Sequence, residues 1–135
     1  MREFGTALLI TITVFLTAAC AVHSVPAEPP ESQALDQILA EKNYRIGAEV
    51  ERISDIRADD RIYVDPENLL VPAEGDQLYL ITLDEPCQGL KTQRLVSRSG
   101  TYKELEKHDE IATKYEGRNA DICRIDAIFR LEKQQ

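Results

Sequence analysis

Hydrophobic and polar positions along this 135-residue chain fall into short patterns whose period changes several times. Phe4 to Ala19 is apolar and carries no charge. Glu31 to Lys42 has Leu35, Ile38 and Leu39 three and four residues apart, with Ala34 beside them. That spacing predicts an amphipathic helix. Ser32 can cap its start and Asn43 can take a left-handed stop. The apolar stripe is narrow, so the helix is expected to cover one edge or face of a sheet.

From Tyr44 the period becomes two. Tyr44, Ile46, Ala48 and Val50 fall on one face, and Arg45, Glu49 and Glu51 on the other, which predicts a half-buried strand running to Ile53. Parity then breaks between Ile53 and Ile56, and a bulge or short turn near Arg52–Asp55 would reconcile them. Short strands are expected at Arg61–Val64 and Leu69–Val71, with a turn at Asp65-Pro66-Glu67-Asn68 between them. Ala73 to Asp76 turns the chain into Leu78, Tyr79, Leu80, Ile81 and Leu83. This apolar run reads as a central strand buried on both faces. Asp84, Glu85 and Pro86 end it, because proline cannot donate to a sheet ladder.

Beyond Cys87, Gly89 allows a tight path, and Lys91 to Arg98 predicts a strand around Leu95 and Val96. Ser97 to Thr101 reads as a loop. Lys103 to Glu110 is polar with a single Leu and carries no clear signal. From Asp109, Ile111, Thr113 and Tyr115 alternate with Glu110, Ala112 and Lys114. Gly117 to Ala120 reads as a hairpin loop. The last strand, Asp121 to Leu131, places Cys123, Ile125, Ala127, Phe129 and Leu131 on one face, against Arg124, Asp126 and Arg130. About seven short strands with one leading helix predict a mainly β fold, a small antiparallel barrel or sandwich.

The first twenty residues change the picture. Phe4 to Ala19 is too short, and too closely followed by Pro and Glu, for a comfortable membrane span. It reads as a secretory signal peptide over residues 1–19. The sequence Leu16-Thr17-Ala18-Ala19-Cys20 resembles a bacterial lipoprotein signal, with Leu16 one residue further from the cysteine than usual. That resemblance implies lipidation of Cys20. Ordinary cleavage near Ala21 is the competing reading and would leave a soluble periplasmic protein. Residues 20–31 then form the lipidated cysteine and a Pro-rich tether, and residues 32–135 a single domain. Ala21 is not the Asp associated with inner-membrane retention, which points by resemblance to the outer membrane. The acyl chains would anchor the domain to it on the periplasmic face.

The formal net charge of −8, with Lys and Arg scattered among Asp and Glu, excludes a nucleic-acid-binding domain. An acidic body also has no electrostatic reason to lie on an anionic membrane, so the lipid would hold it. With Cys20 lipidated, Cys87 and Cys123 are an even pair in an oxidising compartment, and a disulfide is expected. It would close a loop of about 36 residues and contribute roughly 3–4 kcal/mol.

The strand Tyr79-Leu80-Ile81-Thr82-Leu83 leading into Pro86-Cys87-Gln88-Gly89-Leu90 carries a family resemblance, together with Leu69-Leu70-Val71, Asp109-Glu110-Ile111 and Cys123 to Ile128. Over roughly residues 44–131 the chain resembles a family of small proteobacterial envelope proteins and lipoproteins known only as a domain of unknown function. Members often have an aromatic where His108 stands. The resemblance implies the fold, the disulfide and the location, and no activity.

Candidate chemistry is sparse. His108-Asp109-Glu110 puts a base beside carboxylates, but adjacent strand residues point to opposite faces. His23 lies in the tether. Ser54, Ser97 and Ser99 lack a nucleophile elbow. Asp59-Asp60 and Asp65, Glu67 and Asn68 lack the spacing of a calcium loop and read as turns. Tyr44, Tyr63, Tyr79, Tyr102 and Tyr115 suit core or strand-pair positions. Two cysteines without a further Cys or His nearby are not a zinc spacing. No catalytic, cofactor-binding or metal residue is therefore assigned. The expected function is a non-enzymatic binding or accessory module of the envelope, with the membrane and an envelope protein as partners. An inhibitor of a cell-wall hydrolase and an enzyme of unrecognised type are the alternatives.

Overall fold

The computed structural model describes residues 32–97 and 103–135. The one α-helix among them, α1, runs Gln33–Lys42. The Ser32 hydroxyl accepts from the Leu35 amide at 3.0 Å, and Asn43 closes the helix at φ 59°. Both caps are the expected ones. Leu35 and Leu39 are buried and Ile38 half-buried, so the narrow stripe does face a sheet.

The strands that follow are β1 Tyr44–Glu49, β2 Arg52–Ser54, β3 Ile62–Asp65, β4 Asn68–Pro72, β5 Leu78–Leu83, β6 Arg94–Ser97, β7 Glu104–Glu106, β8 Glu110–Tyr115 and β9 Arg118–Lys133. The main sheet has the order β3-β4-β5-β9-β8-β6, with β1 also paired to β9, and β2 pairs with β7 in a separate ribbon. All pairings are antiparallel. The mainly β class is thus as expected, with the sheet curled into a half-barrel.

Two apolar layers hold it. Inside the curl, Leu69, Val71, Ile81, Leu83, Ile111, Ile125 and Ile128 pack with Ile53 of β2 and Leu105 of β7. Through the other face of β4, β5 and β9, Leu70, Leu78, Leu80, Ala127, Phe129 and Leu131 pack against Leu35 and Leu39. Strand β5 is buried on both faces because the helix covers one and the barrel interior the other.

Several boundaries differ from the sequence expectation, each for a physical reason. The strand expected through Ile53 ends at Glu49. The register slips between Ile46 and Glu49, and Ala48 is exposed rather than inward. Gly47 sits where an added Cβ would lie 2.8 Å from the Arg130 carbonyl oxygen, so β1 presses against β9 at that point. The chain then leaves the sheet as β2, whose partner β7 lies in the stretch without a signal; one inward Leu105 is enough to hold it.

Strand β6 begins at Arg94, and residues 98–102 of the expected strand and loop lie outside the described residues, with Ser99 and Tyr102. The expected four-residue loop before β9 is a two-residue turn. Glu116 and Gly117, at φ 50° and 78°, make the left-handed pair that matches strand twist.

The largest correction concerns β9. Its inward residues do not stay on one face. Thr82 pairs with Ala127 but Leu83 pairs with Ile125, leaving Asp126 as an extra residue. That bulge switches parity. Cys123, Ile125 and Ile128 face the barrel interior, whereas Ala127, Phe129 and Leu131 face the helix.

The curl is closed by a side chain. Arg61, just before β3, donates from Nε to the Leu90 carbonyl at 2.7 Å and from Nη1 to that of Ala58 at 3.0 Å. Its Nη2 donates to the Gln93 carbonyl. The two edge strands β3 and β6 are thereby tied without a ladder between them.

Candidate functional site

The end of β5 is clasped from both sides. The Leu83 and Cys87 amides donate to the carbonyls of Glu67 and Pro66, each at 2.8 Å, and the Asp84 amide donates to that of Arg124 at 3.1 Å. The Asp65 carboxylate shapes the opposing turn by accepting from the Glu67 amide at 2.9 Å and the Asn68 amide group at 3.0 Å. These residues are turn formers, as expected. The same carboxylate accepts from the Ser32 hydroxyl at 3.1 Å, so the start of α1 lies at this end of the sheet.

Cys87 is thereby held against β9, and a disulfide joins it to Cys123 with the Cα atoms 5.9 Å apart. Both cysteines are buried in the interior cluster. The central strand and the last strand are therefore neighbours with their cysteines at a common end, joined by the expected disulfide. Cys20 and His23 lie outside the described residues.

Above the bond opens a cleft of about 330 Å³, lined by Asp84, Glu85, Glu110 and Asp121, with Ile122 and Arg124. Asp121 stands two residues before Cys123 on the same face of β9. One of its carboxylate oxygens accepts from the Gln88 amide at 3.0 Å and the other from the Ile122 amide at 2.9 Å. A carboxylate oxygen of Asp121 and the sulfurs of Cys87 and Cys123 lie within 4.8 Å of one another. The sulfurs are bonded to each other and carry no thiolate charge to hold a cation. Glu110 stands opposite Arg124 across β8 and β9. Four carboxylates facing one guanidinium give the cleft a negative field, and its walls focus that field on the opening. Ile122, 46% exposed, adds an apolar contact at the rim.

The other sequence candidates do not join this cleft. His108 is exposed in the turn between β7 and β8 at φ 71° rather than at a strand start, and its amide donates to the Ile125 carbonyl at 2.9 Å. The Asp109 carboxylate accepts from the Glu106 amide at 2.9 Å, which folds that turn. Ser54 and Ser97 lie in β2 and β6. Tyr63 and Tyr79 pack on the interior cluster and Tyr44 on the helix-side cluster. The cleft carboxylates escaped the sequence reading because they come from three separate segments. The available signal was an acidic residue within three positions before each cysteine.

A curled antiparallel sheet backed by one helix, its central and last strands bonded by a disulfide under an acidic cleft, defines a small disulfide-closed β-domain. The chain belongs to a family of unknown function (DUF6491), whose model matches residues 4–135. That agrees with the resemblance to a domain of unknown function and extends it past residues 44–131. No curated protein and no solved structure gives a significant match.

Proposed function

We propose that this protein is a lipid-anchored protein of the bacterial envelope, held through Cys20 at the outer membrane. Its domain faces the periplasm and acts as a non-enzymatic binding module. The observation that carries this reading is the Cys87–Cys123 bond. A buried structural disulfide suits an oxidising compartment and is rare where thiols are kept reduced. The family match begins at residue 4, so it takes in the apolar segment and Cys20 together with the domain. Replacing Cys20 with Ser tests the anchor. Acyl labelling should disappear and the protein should move from the detergent phase to the aqueous phase; unchanged labelling and partitioning would refute it.

A narrower reading is inhibition of a cell-wall hydrolase, and the acidic cleft is what favours it. A negative mouth with an apolar rim complements a cationic, lysozyme-like protein and speeds its encounter. The purified protein should inhibit a cationic lysozyme, and D84N/E85Q/D121N should weaken that inhibition without loss of fold. An inhibition equally strong in the variant would remove the cleft from this role.

A further inference from the structure

Four cations of this acidic chain sit in ion pairs among the described residues. Arg45 pairs with Glu132, Arg52 with Glu106, Arg57 with Asp60 and Asp76, and Lys107 with Glu49. One surface gathers three further cations. Beside the Arg61 staple runs an open groove of about 560 Å³, lined by Arg61, Lys91 and Arg94 together with Tyr63, Thr92 and a single carboxylate, Asp59. Arg61 spends three of its N–H groups on carbonyls, and burial pushes its guanidinium below the usual arginine value while Asp59 opposes that shift. It remains charged in any physiological buffer. Lys91 lies over the Tyr63 ring, its Nζ 5.8 Å from the centroid. Arg94 has no carboxylate partner among the described residues. It stands directly opposite Lys114, equally unpartnered, in the β6–β8 ladder. Like charges directly opposite each other across two strands are destabilising. A chain with net charge −8 has carboxylates to spare, yet only Asp59 is placed here.

We propose that this groove is an anion site that takes a phosphate monoester. Three cations against one carboxylate leave two positive charges to neutralise. A monoester carries about −1.5 to −2 at neutral pH and three acceptor oxygens, which matches that excess; a carboxylate supplies only one charge. Arg94 presents a planar fork suited to two phosphate oxygens, and Lys91 a point charge beside it. Arg61, fixed by the backbone, supplies the floor of the positive field. Bound anion would also relieve the Arg94–Lys114 repulsion, so binding and folding stability are linked.

The test is titration of the purified protein with inorganic phosphate, followed by amide NMR. The resonances of Lys91, Thr92 and Arg94 should shift and saturate, and acetate at equal ionic strength should leave them nearly still. R94Q/K114Q should weaken phosphate binding by about tenfold or more, since the lost Arg94 contact is a charged one. The same variant should melt no lower than the native protein, because a repulsion has been removed. Glucose 6-phosphate and vesicles containing phosphatidic acid separate a free ester from a lipid headgroup, and binding to either supports the site. Equal shifts with acetate and phosphate, shifts that persist in R94Q/K114Q, or binding only to phosphatidylglycerol vesicles would overturn it.

Discussion

Arg61 shows how much of this fold can hang on one residue. Its three carbonyl contacts span Ala58, Leu90 and Gln93, so they join chain segments that no strand pairing connects. Arg61→Met should lower stability by about 2–3 kcal/mol, measured by urea unfolding, because three part-buried carbonyls lose a charged donor. Arg61→Lys should recover little, since an ammonium cannot reach three divergent acceptors from one planar fork. Lys107 offers a second test. Its amine is raised above the usual lysine value, first by the hydrogen bond to Glu49 and against the effect of burial. A raised value in the folded state means the contribution is complete below the unfolded lysine value of 10.5 and fades as pH climbs through the elevated one. Thermal melts of Lys107→Met and the native protein should therefore differ at neutral pH and converge in strong alkali. Little at this scale was legible beforehand. Ser32 and Asn43 could be placed as caps because their roles are local, whereas Arg61 sits among other charges and two of its three partners lie 29 and 32 residues away.

Among the elements, β9 is the one the sequence half reveals. Its alternation from Cys123 to Leu131 is visible, but the pattern hides Ile128, the residue that shows the parity has changed. The cause is the extra Asp126 between the Leu83–Ile125 and Thr82–Ala127 pairs. A one-residue slip carries every side chain to the opposite face. Deleting Asp126 should therefore be tolerated, because Ile125 and Ala127 then follow one another in the pairings they already hold. Deleting Arg124 instead should be severe, because Cys123 and Ile125 become consecutive and cannot both face the interior, and far-ultraviolet dichroism should report loss of the cooperative melt. Asp126→Ala, which keeps the residue count, should fall within about 0.5 kcal/mol of the native protein. Strand β7 was invisible for the opposite reason. Three residues with one buried Leu105 carry no periodicity, and β7 exists because β2 lies alongside.

For the molecule as a whole, the disulfide was legible from cysteine arithmetic, and the double burial of β5 from its unbroken apolar run. Removing the bond with Cys87→Ser and Cys123→Ser should cost about 2–5 kcal/mol and lower the melting temperature accordingly. The cleft above it was not legible, because it exists only once Asp84, Glu110 and Asp121 are brought together. The placement of β9 has one further consequence. It is the last of these elements to be synthesised, yet it is the partner of β1, β5 and β8. A nascent chain ending at Tyr115 can form the β3-β4-β5 meander and the β6–β8 pair, but no strand pairing joins them. Such a chain lacks the shared partner of its two halves, and it commits to its folded form only when the closing strand arrives.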